Sequence, residues 1–281
     1  MLSAQTAIAT IRRSITLGIT VRMVLWILVL TAVVAGPFFR PQTDVWIAVV
    51  VLTAFWIFLL ARSFRSARLG ADFPELVAAG QFDAAESQIE SSLRAFSLLR
   101  PAKLLALHQL AVLRHAQARY ADAAALSSEL LQHHGSRLRS LSGSTRLILA
   151  QSSLELNDLP TAGQALAELG QMPSLPLAES LNLVALQVDY QSRLGAWSAM
   201  MEGWMSRVAV AEVMPSTPAA MTQAMLALAA ENIGRRDVAK WLADRAALLV
   251  DVQELVKHRP QLAQLWPSAG AAPADTENES V

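Results

Sequence analysis

The sequence predicts an all-α chain: a hairpin of two membrane-spanning helices, then an α-solenoid of about five helix pairs. Three observations carry that expectation. Two long uncharged apolar runs lie close together near the N-terminus, alanine and leucine dominate from Ala71 onward, and one short pattern returns five times at nearly constant spacing.

The first apolar run is Met23–Phe39 and the second Val45–Ala61, each 17 residues long. That is the short end of the ~17–25 residues needed to cross the hydrocarbon core. Arg22 stands where its stem could snorkel and lengthen the first span, and Trp26, Trp46 and Trp56 are candidate interfacial anchors. The connection Arg40–Asp44 is polar and short, so two spans here must form a hairpin. Arg12, Arg13 and Arg22 precede it, Arg62, Arg65 and Arg68 follow it, and only Arg40 lies between. The positive-inside rule then places both ends in the cytoplasm, as expected for a two-pass protein of a bacterial-type inner membrane. A cleaved signal peptide with its site at Val33-Val34-Ala35 is disfavoured by the long lead-in and by Pro37. In the lead-in, residues 1–20, Ile8, Ile11, Ile15 and Ile19 recur at helical spacing beside Arg12 and Arg13. It reads equally as an amphipathic surface helix or an unstructured leader.

Across the 281 residues, 53% are hydrophobic and 16% charged, with a mean hydropathy of +0.35. Lys+Arg and Asp+Glu both number 23, which disfavours nucleic acid because phosphate binding needs a basic surplus. With no cysteine, disulfides, thiolate metal sites and cysteine nucleophiles are excluded.

After a linker over 63–71, the five recurring segments occupy 72–250. They begin Gly80-Gln81-Phe82, Ala118-Arg119-Tyr120, Asn157-Asp158-Leu159, Gly195-Ala196-Trp197 and Gly234-Arg235-Arg236. Each has a small or polar turn residue, a bulky residue two positions on, and a small or slim residue three further. Those last positions, Ala85, Ala123, Ala162, Met200 and Ala239, are separated by 38, 39, 38 and 39. The turn residue closes one helix, the bulky residue packs at the start of the next, and the small residue lets the pair approach. Arg236 takes the bulky position in the fifth unit. Pro74, Pro101, Pro176 and Pro218 stand near helix starts, where a missing N–H costs nothing. Residues 251–266 read as a capping helix broken at Pro260, and 267–281 as a disordered tail.

The five signatures resemble the tetratricopeptide repeat over roughly 72–250, although the period exceeds that family's ~34 residues. Joined to a two-helix anchor, the architecture is similar to HemY-type inner-membrane proteins. The resemblance implies that the first helix of each pair lines a concave groove for a protein partner. Carrying over the groove phase selects His108, Val112 and His115, then Gln151 and Glu155, then Asp189 and Arg193, then Leu228, Glu231 and Asn232. Asp189 and Arg193, one turn apart, also read as an ordinary ion pair.

No phosphate loop, HExxH or GxSxG motif is present, so no catalytic residue, cofactor or metal is expected. His133-His134 reads as a solvated helix end. Trp197, Met200, Met201 and Trp241 read mostly as core; Trp204 and Met205, being adjacent, cannot both face it. The expected function is a membrane-anchored scaffold for protein partners, with the lipid bilayer as its other contact. The alternative is a structural subunit of a larger membrane complex packed through its hairpin, for which Thr31, Gly36 and Thr53 offer small faces.

Overall fold

The computed structural model describes residues 3–35, 50–51, 53–58, 61, 73–95, 100–134 and 140–267, and all regular structure among them is helical. The helices are α1 (Ala4–Ala35), α2 (Phe73–Ala78), α3 (Phe82–Arg94), α4 (Arg100–Ala116), α5 (Tyr120–His134), α6 (Ser142–Glu155) and α7 (Leu159–Gly170). They continue with α8 (Leu177–Arg193), α9 (Trp197–Met201), α10 (Trp204–Ala211), α11 (Ser216–Asn232), α12 (Arg236–Leu249) and α13 (Val252–His258). A 3-10 turn over Pro260–Leu265 follows. The chain divides into two compact units, Met1–Asp158 and Leu159–Val281.

The recurring pattern marks one repeated piece of backbone. Gly80, Ala118, Asn157, Gly195 and Gly234 all adopt positive φ, between 57° and 79°. Each stands just past a helix, and two hydrogen bonds close the turn the same way every time. The N–H of Gly80 donates to the Val77 carbonyl and that of Gln81 to the Leu76 carbonyl. Equivalent pairs, all 2.8–3.0 Å, recur at Ala118/Arg119, Asn157/Asp158, Gly195/Ala196 and Gly234/Arg235. This Schellman closure satisfies carbonyls that a helix end leaves bare. The small or slim residues that follow, Ala85, Ala123, Ala162, Met200 and Ala239, are all buried.

In unit 1 the core joins α1, α3, α4 and α5. Ala4, Ala7 and Ile11 of α1 are buried with Ile89 and Leu93 of α3 and Leu126 and Leu130 of α5. Arg12 grips Glu129 of α5 with two bonds of 2.8 and 2.9 Å. The lead-in is thus a helix packed on its own domain, through a stripe that only partly follows the isoleucines.

The expectation of a two-pass integral membrane protein with both ends cytoplasmic is overturned: among the described residues no helix is long and apolar enough to cross a membrane. The first three turns of α1 are committed to the unit 1 core, and Arg12 and Arg13 follow within them. The HemY-type comparison rested on that anchor and loses its support. The Arg40–Asp44 connection, the linker 63–71 and the tail beyond Pro267 lie outside the described residues.

Unit 2 is built around α11, whose residues Thr222 to Ala230 are all buried. Val188 of α8, Met200 and Met201 of α9, Val208 of α10 and Leu242 of α12 pack into the same core. The second helix of the fourth pair is broken, which the repeat pattern did not predict. Gly203, at φ 63°, separates α9 from α10. Arg207 repairs the break, donating to the Met200 carbonyl at 3.0 Å and to Gln191 Oε1 at 2.7 Å.

Candidate functional site

The ten residues expected to line a groove all fall on first helices: α4 and α6 in unit 1, α8 and α11 in unit 2. Each unit treats them differently.

In unit 1, α4 and α6 pack side by side. His108 is buried, with Nδ1 3.0 Å from Thr145 Oγ1; His115 is half-buried, with Nδ1 3.0 Å from Ser152 Oγ. Both pairs join positions 37 apart, and the two histidines, like the two hydroxyls, are seven residues apart. Two helical turns separate them, so the bonds form two rungs of one seam. Thr145 spends its single hydroxyl proton on the Leu141 carbonyl at 2.7 Å, so His108 Nδ1–H is the donor at the upper rung. Burial pushes the His108 pKa down to about 4 and lowers that of His115 as well, so both rungs are neutral at pH 7. His115 also leans on Tyr120, ring centroids 5.3 Å apart. Val112 is half-buried against the core, while Gln151 and Glu155 are exposed.

Polar groups that the sequence did not single out hold this seam in place. Arg114, fully buried, makes a two-bond pair with Glu86 of α3 at 2.8 and 2.9 Å and donates to Gln117. Lys103 Nζ donates to the Ser92, Leu93 and Ala95 carbonyls at 2.5–2.8 Å, closing the C-terminus of α3. Burial lowers the Lys103 pKa to about 8. A lysine just inside a helix start, about ten residues past the carbonyls it meets, gives no sequence signal of its own.

In unit 2, Asp189 and Arg193 of α8 form the ion pair allowed by their spacing, at 3.2 Å. Asp189 Oδ2 also accepts from Arg259 Nη2 at 2.8 Å, a residue 70 positions away between α13 and the 3-10 turn. Leu228 is buried in the core of α11. Glu231 and Asn232 are exposed at its C-terminal end; Glu231 lies 3.6 Å from Arg236, and Asn232 Nδ2 donates to the Leu228 carbonyl.

The arrangement is one of packing and ion pairing. Among the described residues no group of three or more His, Asp and Glu could hold a metal ion. His133, near the end of α5, has Nε2 3.7 Å from Glu129, the carboxylate that Arg12 also grips. Of the Trp and Met residues of unit 2, Met200 and Met201 are buried and Trp197 partly so. Trp204 packs on the core and Met205 is exposed. Trp204 meets Trp241 edge-on at 6.0 Å, with Arg235 and Arg245 over the two rings.

No family model matches this chain, and no curated protein or solved structure matches it.

Proposed function

We propose that the chain is a tetratricopeptide-like helical-repeat scaffold, binding protein partners along the exposed parts of its first helices and carrying out no chemistry itself. The observation that carries this reading is the recurrence of one left-handed Schellman turn at all five predicted positions. Helix pairs repeated at fixed spacing supply long faces for partners without any catalytic residue. Gln151 and Glu155 on α6, with Glu231 and Asn232 on α11, are the predicted groove residues that remain exposed. The test is co-purification of the intact chain against a Gln151→Arg/Glu155→Arg/Glu231→Arg variant. A partner retained by the first and lost by the second supports the reading; a partner retained by both moves the contact elsewhere.

A second reading has its own observation. Leu17, Met23, Val24, Trp26, Ile27, Leu28 and Leu30 of α1 are all exposed large apolar residues. So large an apolar surface marks an interaction site. It favours a structural subunit of a larger assembly, packed through α1. A partner lost on Trp26→Glu/Ile27→Glu, and not on the groove variant, selects this reading.

A further inference from the structure

The segment that follows the last helix pair in unit 2 has the character of a bound peptide. α13 spans seven residues, Arg259 breaks it with extended backbone, and a 3-10 turn carries the chain to Trp266. Its backbone hydrogen bonds are local: Leu255 to Asp251, Arg259 to Leu255, Leu262 to Arg259 and Trp266 to Ala263. Side chains attach it to the first helices. Leu255 and Leu262 are buried in the unit 2 core, Trp266 packs against that core, and Gln261 Nε2 points at Met225 Sδ of α11 from 3.8 Å. Arg259 supplies the charged contact, on Asp189 of α8.

That charged contact is incomplete. Arg259 and Arg193 both use Asp189 Oδ2, while the buried Asp189 Oδ1 has no hydrogen-bond partner. A carboxylate pairs most strongly when a guanidinium bridges both oxygens. The internal arginine leaves one of them unused.

We propose that Val252–Trp266 is an internal ligand occupying the partner face of unit 2. The partner that displaces it is a peptide of the same chemistry: an arginine, a leucine three residues on, and an aromatic four beyond that. The inference rests on the scaffold reading, because it takes the first-helix face as the partner surface. Asp189 selects the arginine and the sockets of Leu262 and Trp266 select the apolar positions. A tethered ligand competes at an effective concentration of about millimolar, so the intact chain resists weak ligands and yields to one that bridges both Asp189 oxygens.

The probe is a fluorescein-labelled synthetic peptide covering residues 251–267, its binding read by anisotropy on the full chain and on an Arg259→Asp chain. That substitution sets a second carboxylate against Asp189 and expels the internal copy. The Arg259→Asp chain is expected to bind the peptide at least ~10-fold more tightly than the intact chain, and a peptide carrying the same substitution is expected not to bind. Equal binding by the two chains, with helical circular dichroism retained, overturns the proposal. Hydrogen exchange on the intact chain decides the matter if the variant does not fold. Amides of 252–266 should exchange as one unit at least ~10-fold faster than those of α11; protection equal to α11 makes the segment a fixed part of the core and overturns it. The scaffold reading fails separately. Peptide binding without any partner lost by the Gln151/Glu155/Glu231 variant sinks that reading and leaves the occupied face standing.

Discussion

Two helices of equal length, 17 residues each, sit at the centre of the two units and solve burial in opposite ways. α11 is nearly apolar all round, with alanines where neighbours approach and Thr222 and Gln223 as its buried polar residues. α4 is as deeply placed, yet it buries Lys103, His108, Gln109 and Arg114. A helix enclosed on every side must be apolar on every side or supply a partner for each polar group. α11 takes the first course except at Thr222, whose hydroxyl turns toward Met214 Sδ, and at Gln223. α4 takes the second, giving Lys103 to the end of α3, Arg114 to Glu86 and His108 to Thr145. Unit 1 therefore depends on specific pairs, and unit 2 on volume.

Unit 1 is most exposed to loss at Arg114, which is fully buried. Arg114→Ala leaves Glu86 buried without its bridging cation, and the expected loss is about 3–5 kcal/mol in urea unfolding of the intact chain. A loss under about 1 kcal/mol means that the pair does not hold unit 1. The matching change on α11, Leu226→Ala, removes volume from a side chain that is fully buried. It should cost about 3 kcal/mol, with no dependence on pH or salt.

Acid separates the units further. The His108 pKa is lowered to about 4 in the folded chain, against about 6.5 unfolded, so between these values the unfolded chain binds more protons. The stability contribution is complete above about pH 6.5 and is lost as pH falls toward 4, by at most roughly 3 kcal/mol. His115 adds to it in the same direction. Urea titrations of the wild type and His108→Gln at about pH 7.5 and about pH 4.5 should show a smaller acid loss in the variant. An unchanged loss removes His108 as the cause.

The smallest effect concerns the turns. Ala118 holds φ 57° where three of the other four turns use glycine. Ala118→Gly should stabilise by up to about 1 kcal/mol and Gly234→Ala should destabilise by about as much, both read from the urea midpoint. If neither midpoint moves, the turns do not contribute to stability as the shared geometry implies.

Much of this was legible in local chemistry. Turn positions follow from residues that tolerate a left-handed backbone, and the buried Ala85, Ala123 and Ala162 from the need for close approach. Pro260 marks the end of α13, since it cannot continue a helix. The break at Gly203 was not legible, because one glycine in a helical stretch does not say whether the helix bends or stops. The tetratricopeptide resemblance placed His108 and His115 on one face, but nothing local in the sequence said that Thr145 and Ser152 of α6 would cover them. Arg259 reaches Asp189 across 70 residues, a pairing that only the fold creates. The apolar run after Arg22 suggested a membrane span, and hydropathy alone hid the stripe of Ala4, Ala7 and Ile11 that docks α1 on unit 1.

On the scaffold reading the first helices present the partner face. A photo-crosslinking residue placed at Gln151 or Glu231, exposed on α6 and α11, tests it against the same residue at Ala125 or Lys240, exposed on α5 and α12. Partner adducts are expected from the first pair of positions and none from the second. Adducts from Ala125 and Lys240 alone would contradict it, and would give the partner to the second helices.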